Sequence, residues 1–231
     1  MSVATRPERG ESILARHHPV GASTGYMEEL REDWDAQVAE ASRVSVFAVE
    51  LSALSEKQLI PLKDFLASNP SLTFRYLSIH GPSKDREIAE EELVEELVEL
   101  AGRADAIVMH PDTIEELHLY RALGRKLVLE NMDARKGSGR TPDELAPSFE
   151  ELPEAGFCFD IAHAWSVDKS MQIAGELLDA LSDRLRHVHL SSLSPELHHV
   201  PLSDVDEELF RPSLERCVDV PWILEAPPPV S

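Results

Sequence analysis

The sequence is poor in cysteine, in basic residues and in long apolar runs. Its two cysteines, Cys158 and Cys217, are too few for a disulfide framework or a cysteine-based zinc site. No apolar run is long enough to span a bilayer, and no N-terminal apolar segment has the form of a signal peptide. Lysine and arginine total 22 against 43 aspartates and glutamates, which gives a net charge of −21. That charge repels nucleic acid and anionic membranes, so we expect a cytoplasmic protein with neither as a partner.

Short apolar runs alternate with segments of helical periodicity along the whole chain. A strong strand is predicted from Val44 to Leu51, and later runs such as AIVMH, LVLEN, GFCFDIAH and PWILEAP have the same character. The clearest helix is predicted over residues 86–101, with shorter helices at Ile114 to Leu123 and Leu209 to Val218. This alternation is typical of a parallel α/β sheet. Successive strand ends lie about 20 to 36 residues apart, near the ~30 residues of a βαβ unit.

Eight predicted strands indicate a compact (β/α)8 TIM barrel formed by residues 12–231, preceded by a flexible tail at residues 1–11. A doubly wound open sheet is the alternative, but its glycine fingerprint is poorly matched by GASTG after the first strand. No helix is predicted after Glu225, so the barrel lacks its last helix. The outer wall there would be covered by the N-terminal tail or by a second subunit in a homo-oligomer.

Most of the predicted strands end in a histidine or a carboxylate, and in a barrel these ends share one face. The residues are His80, His110, Glu130, Asp160 with His163, His189 and Glu225, and the loop after the seventh strand adds Glu196 and His198 or its neighbour His199. Buried carboxylates and imidazoles are costly unless paired or bound to a cation. Imidazole and carboxylate without thiolate suit zinc, manganese or iron. Asp160 and His163 could instead form a hydrogen-bonded pair that fixes a turn.

The segments HVHLSS, LVLEN, CFDIAHAW, AIVMHP and WILEAP resemble the strand-end motifs of the xylose isomerase-like TIM barrels. The resemblance runs from about Val44 to Pro227, and the superfamily includes sugar isomerases and epimerases and endonuclease IV. The epimerase pattern implies one divalent ion, zinc or manganese, and it places the ligands at Glu130, Asp160, His189 and Glu225. It also implies that Glu130 and Glu225 act as acid and base on either side of the substrate carbon.

The endonuclease IV pattern implies three zinc ions and more ligands. The additional ligands map onto His80, His110, His163, Glu196 and His198. Glu196 stands where that pattern has the shorter aspartate. The basic loop after the fifth strand carries Arg135, Lys136 and Arg140, which are expected to hold a substrate phosphate or to form an ordinary solvated surface.

Three functions are therefore open. The leading expectation is a divalent-metal-dependent isomerase or epimerase of a small sugar or sugar phosphate, which removes a proton α to a carbonyl. The alternative is a zinc-dependent phosphoesterase with a multinuclear site. The third is a barrel with a vestigial site that acts as a binding protein.

Overall fold

The computed structural model describes residues 18–84 and 87–228. Eight parallel strands close into a barrel in the order β1-β10-β7-β6-β5-β4-β3-β2. They are β1 Val20–Ser23, β2 Ala48–Ser52, β3 Tyr76–His80, β4 Ala106–Met109, β5 Leu127–Glu130, β6 Gly156–Asp160, β7 Leu185–Leu190 and β10 Trp222–Leu224. The two-residue strands β8 Ser192–Leu193 and β9 His199–Val200 form a small antiparallel hairpin. The predicted TIM barrel is thus confirmed, and the open sheet is excluded.

The first strand closes the barrel between the second and the last. β1 pairs with β10 through Val20 and Trp222 and with β2 through Gly21 and Ala48. A Cβ atom on Gly21 would lie 2.6 Å from the Ala48 backbone oxygen. Glycine is therefore required for the two strands to approach.

The described residues form seven α-helices outside the barrel. They are α1 Trp34–Val44, α2 Leu59–Ala67, α3 Glu90–Ala101, α4 Pro142–Glu151, α5 Ile161–Val167, α6 Gln172–Leu181 and α7 Asp204–Leu214. In α3, Leu93 and Leu97 are fully buried against the barrel while the glutamates face outward. Burial of each such leucine contributes about 1.5–3 kcal/mol. This packing outweighs the repulsion among the helix's glutamates.

Three helix predictions need correction. The segment predicted as a helix at 114–123 forms a 3-10 helix, Leu117–Lys126, interrupted at Gly124 where φ is 51°. The last helix begins at Asp204 and not Leu209, because the Ser203 hydroxyl caps it by accepting from the Asp206 N–H. The short helix α5 was not predicted at all; it begins directly after Asp160, whose side chain accepts from the His163 N–H.

Residue alternation along the strands separates two apolar regions. Outward side chains of the strands pack against the helices in one large core, which includes Ile107, Leu129 and Val188. A small inner cluster within the barrel is formed by Ala106, Val108, Val128 and Cys158. The rest of the inner surface is therefore available to polar side chains, and these form the site.

Near the closure of the barrel, the segment before β1 lies against β10. The His18 ring lies 3.7 Å from the Trp222 ring and its Nε2 is 2.9 Å from the Val220 carbonyl oxygen. Among the described residues, which end at 228, no helix follows β10, and none of the described helices could cross a membrane. The tail predicted at residues 1–11 lies outside the described residues.

Candidate metal centre

An open cavity of about 600 Å³ lies at the carboxyl ends of the barrel strands. Its walls include His80, His110, Glu130 and Glu225, which lie at or directly after the ends of different strands, and His163, which lies in α5 after β6. Parallel strands in a barrel present their carboxyl ends to one face. The polar strand ends that were predicted from the sequence thus lie together at one end of the barrel, although Asp160 and His189 are fully buried beside Glu130 and do not line the cavity.

Glu130 is the hub of the site and is almost fully buried. Its Oε2 lies 3.3 Å from both His80 Nε2 and His110 Nε2. Its Oε1 lies 3.2 Å from His163 Nδ1 and 3.3 Å from His189 Nδ1. Burial alone would raise the pKa of this carboxyl, but His189 and His110 outweigh it and hold the pKa well below its usual range. Four imidazoles around one carboxylate make Glu130 suited to bridge two cations.

Two of these histidines have one nitrogen fixed by a backbone carbonyl. His80 Nδ1 donates to Gly81 O at 2.8 Å, and His163 Nδ1 donates to Asn131 O at 2.9 Å. A neutral imidazole with a protonated Nδ1 carries its lone pair on Nε2. In His80 that lone pair faces the Glu130 carboxylate, an unfavourable pairing unless a proton or a metal ion lies between them.

Asp160 is held at the end of β6 by the side chain of Asn131. The Asn131 amide donates from Nδ2 to the Asp160 carbonyl and accepts from the Asp160 N–H at Oδ1, both at 2.8 Å. Asp160 Oδ1 accepts from the His163 N–H at 2.6 Å, while Asp160 Oδ2 is buried and has no hydrogen-bond donor among the described residues. The free oxygen lies 3.5 Å from His163 Nδ1. Asp160 therefore keeps one oxygen available for a ligand.

His189 and Glu225 close the other side of the site. His189 Nδ1 is 3.3 Å from Glu225 Oε1, and His199 Nδ1 is 3.3 Å from Glu225 Oε2. Neither His189 Nδ1 nor Glu225 Oε2 has a hydrogen-bond partner within residues 18–84 and 87–228, although both are buried. Burial, together with the charges of Asp160 and Glu130, raises the pKa of the Glu225 carboxyl well above its usual range even though His189 opposes this. Unpartnered buried polar atoms are rare, and together they indicate a cation position.

Besides the group Cys158, His187 and His189, the described residues form three sets of imidazole and carboxylate ligand atoms that lie close enough to hold metal ions, each within 4.8 Å. They are His80 with His110 and Glu130; Glu130 with Asp160, His189 and Glu225; and Asp160 with His163 and His199. Neighbouring sets share Glu130 and Asp160. The donors are imidazole and carboxylate, which suit zinc or manganese, so the residues fit the expected metal.

Comparison with known proteins agrees with the architecture and the motifs. A family model described as xylose isomerase-like TIM barrel matches residues 75–229. The chain belongs to the xylose isomerase-like TIM barrel family. No curated protein sequence matches at a significant level.

Two solved structures of enzymes share the fold. Endonuclease IV from Thermus thermophilus is 23% identical, with a TM-score of 0.55, and the match covers 86% of this chain and 89% of that chain. The apo form of 3-keto-D-glucoside 4-epimerase from E. coli is 13% identical, with a TM-score of 0.55, and the match covers 93% of this chain and 94% of that chain. At these identities the likeness establishes the fold and leaves the reaction open.

Within this xylose isomerase-like barrel, the structure does not bring all the predicted ligands together. Glu196 is exposed and outside the cavity, and His198 lines the cavity but belongs to none of the three sets. The hairpin explains this, because Leu197 adopts a left-handed φ of 61° and His199 pairs with Leu193. His199 therefore turns inward, where Ser191 Oγ lies 2.7 Å from its Nδ1.

Each of the predicted phosphate-binding cations already has a carboxylate partner. Arg135 pairs with Asp133 at 2.6 Å, Lys136 with Asp112 at 2.7 Å, and Arg140 with Glu144 at 2.7 Å. Arg135 and Lys136 line the cavity, and Arg140 is not among its lining residues. A different cation, Arg31, lines the cavity with only the Gly25 carbonyl as its partner among the described residues.

Two residues at the site have roles that sequence reasoning missed. Glu50 lies in the fully buried strand β2, where its Oε2 is 3.1 Å from His189 Nε2. Asn131 follows Glu130 directly and orients Asp160. The sequence does offer a sign of this role, because Glu50 lies inside the apolar run FAVELSAL. A charge is rarely buried without a partner, so its position predicts a buried partner.

Proposed function

We propose that this chain is a divalent-metal-dependent hydrolase of small phosphoesters with a multinuclear site. The observation that supports this most directly is the pair His80 and His110, whose Nε2 atoms both lie 3.3 Å from Glu130 Oε2. A one-ion site needs only Glu130, Asp160, His189 and Glu225. The two extra histidines add a second position that shares Glu130 with the first, an arrangement typical of two-metal phosphoester hydrolysis. The phosphoesterase, which was the alternative on sequence grounds, thus becomes the leading candidate, and the isomerase or epimerase becomes the second.

The roles of the chain's own residues follow from their positions. Glu130 would bridge the two main positions, Asp160 would link the second to His163 and His199, and Asn131 keeps Asp160 oriented. Bound divalent ions would polarise a phosphoryl oxygen and lower the pKa of bound water. Glu225, which is partly exposed to the cavity, would complete the second position together with Asp160 and His189.

The cavity and the charge of the chain favour a small substrate over DNA. A volume of about 600 Å³ suits a small molecule. The net charge of −21 opposes the phosphate contacts that supply most affinity for a duplex. Arg31 in the cavity wall offers a cation for an anionic group of a small substrate.

An isomerase or epimerase of a small sugar or sugar phosphate is the second candidate. It is favoured by the set Glu130, Asp160, His189 and Glu225, which alone could hold one ion. Glu130 has a lowered pKa and Glu225 a raised one, as a base and an acid on opposite sides of a substrate carbon require. Against it, Glu130 contacts four imidazoles, which occupy the carboxylate that would act as the base.

Hydrolysis of bis(p-nitrophenyl) phosphate by the chain loaded with zinc or manganese tests the proposal. We expect turnover that falls about 100-fold or more in His110→Ala, since such an effect is typical of losing a metal-site contribution. His118→Ala, an exposed histidine outside the site, is the matched control and should retain wild-type turnover.

A parallel assay measures solvent deuterium incorporation α to the carbonyl of a ketose. Deuterium incorporation without phosphoester hydrolysis would favour the isomerase. If neither reaction occurs and the chain binds no metal, the vestigial binding protein is the remaining hypothesis.

A further inference from the structure

Glu50 is a buried carboxylate below the cavity, and its partners are unusual for a purely structural residue. It is fully buried in β2 and does not line the cavity. Its Oε2 accepts from Ser78 Oγ at 3.0 Å, its Oε1 accepts from Ser23 Oγ at 3.3 Å, and His189 Nε2 lies 3.1 Å from Oε2. A buried carboxylate costs several kcal/mol unless a cation or strong donors compensate it. The positive charge that compensates the Glu50 carboxylate must therefore come from the His189 ring or from a cation bound to that ring.

The contact with Glu50 determines which nitrogen of His189 faces the candidate metal ligands Glu130 and Glu225. An ionised carboxylate only accepts hydrogen bonds, so His189 Nε2 must carry the proton that Glu50 accepts. The opposite nitrogen, Nδ1, lies 3.3 Å from both Glu130 Oε1 and Glu225 Oε1, and no hydrogen bond joins it to any residue in the described part of the chain. The ring thus lies between Glu50 on one side and the candidate ligands on the other.

The neighbouring His187 does not compete for this role. Its Nε2 is 3.8 Å from Glu50 Oε2, which is too long for a hydrogen bond. Its Nδ1 is instead 2.8 Å from the Tyr76 hydroxyl. Both histidines are on β7, but His189 is the one whose ring contacts Glu50 on one side and Glu130 and Glu225 on the other.

We propose that Glu50 is a positioning residue that fixes His189 as the Nε2–H tautomer, so that His189 binds metal through Nδ1. The inference rests on the metal site of the proposed function. Carboxylate–histidine–metal chains of this kind orient the imidazole and raise its basicity, and loss of the carboxylate typically lowers metal affinity about 10–100-fold. The negative charge of Glu50 also compensates, through the ring, part of the charge of a bound cation.

Metal affinity in Glu50 variants tests this role. We expect Glu50→Ala to weaken Zn²⁺ and Co²⁺ binding about 10–100-fold in competition with a chelator. Glu50→Gln retains an oxygen that can accept from Nε2 and should recover part of the loss. Glu56→Gln is the matched control, because Glu56 is a buried glutamate that accepts from the backbone of Ile88 away from the site. It should leave the affinity within about two-fold of wild type.

Nitrogen NMR of the wild-type chain gives a second readout that does not depend on a variant folding. The Zn²⁺-loaded protein should show His189 with a protonated Nε2 and a metal-bound Nδ1. A metal-bound Nε2, or a chain whose metal affinity is unchanged in Glu50→Ala and Glu50→Gln, overturns the proposal while leaving the proposed function intact. Failure of the wild-type chain to bind either metal overturns both.

Discussion

Replacing Asn131 by alanine should destabilise the protein because it removes the side-chain amide that hydrogen-bonds the backbone of Asp160. The Asn131 amide is fully buried and satisfies both the N–H and the carbonyl of Asp160, each at 2.8 Å. Each buried backbone group left without a partner costs about 1–3 kcal/mol. A water molecule entering the vacated space would recover part of this, so we expect a net loss of about 3 kcal/mol. For a chain of 231 residues that corresponds to a melting temperature lower by about 6–12 °C.

The assay is urea or thermal unfolding of Asn131→Ala in the presence of a chelator, so that metal binding does not contribute. Gln172→Ala is the matched control, because it removes an amide whose Nε2 contacts Glu176 on an exposed part of α6. The control should change stability by less than about 0.5 kcal/mol. A loss of that same small size in Asn131→Ala would refute the view that this amide holds the ends of β5 and β6 together.

The remaining predictions concern pH, metal and substrate charge. Burial would lower the pKa of His163, but Asp160 and Glu130 outweigh it and raise the pKa to about 10. In metal-free protein the protonated His163 ring therefore contributes to the free energy of unfolding. This contribution should be complete below pH ~6.5 and should disappear as pH rises through ~10. The free energy of unfolding of His163→Gln should lack this decrease with pH. Zinc at about 1,000 times its Kd should add ~4 kcal/mol of stability, measured by unfolding with and without chelator. Arg31→Gln should raise KM for an anionic phosphoester several-fold, whereas Arg140→Gln, which only breaks the pair with Glu144, should leave KM unchanged; equal effects of the two variants would contradict the placement of the anion site.

The barrel and the grouping of polar strand ends at one face could be predicted because they depend on local patterns. Strand ends such as His80 and Glu130 follow short apolar runs, and parallel closure brings such ends to one face. The resemblance to the family then indicated which of these residues to expect as metal ligands. The same reasoning missed Glu50, because a carboxylate in an apolar run has no visible partner until β7 is placed across the barrel from it.

The loop after β7 shows where sequence patterns stop being informative. His198 and His199 are adjacent, and only the register of the β8–β9 hairpin decides which one turns inward. The basic loop is a similar case. Its charge left phosphate binding and a solvated surface both open, and the pairing of Lys136 with Asp112 depends on chain packing that composition does not reveal.

The number of metal ions per chain tests the multinuclear site most directly. Native mass spectrometry of the zinc-loaded protein should show two or three ions per chain, and the double variant His80→Ala/His110→Ala should show one fewer. A wild-type chain that holds a single ion, with the same count in the double variant, would contradict the account and favour the one-metal isomerase.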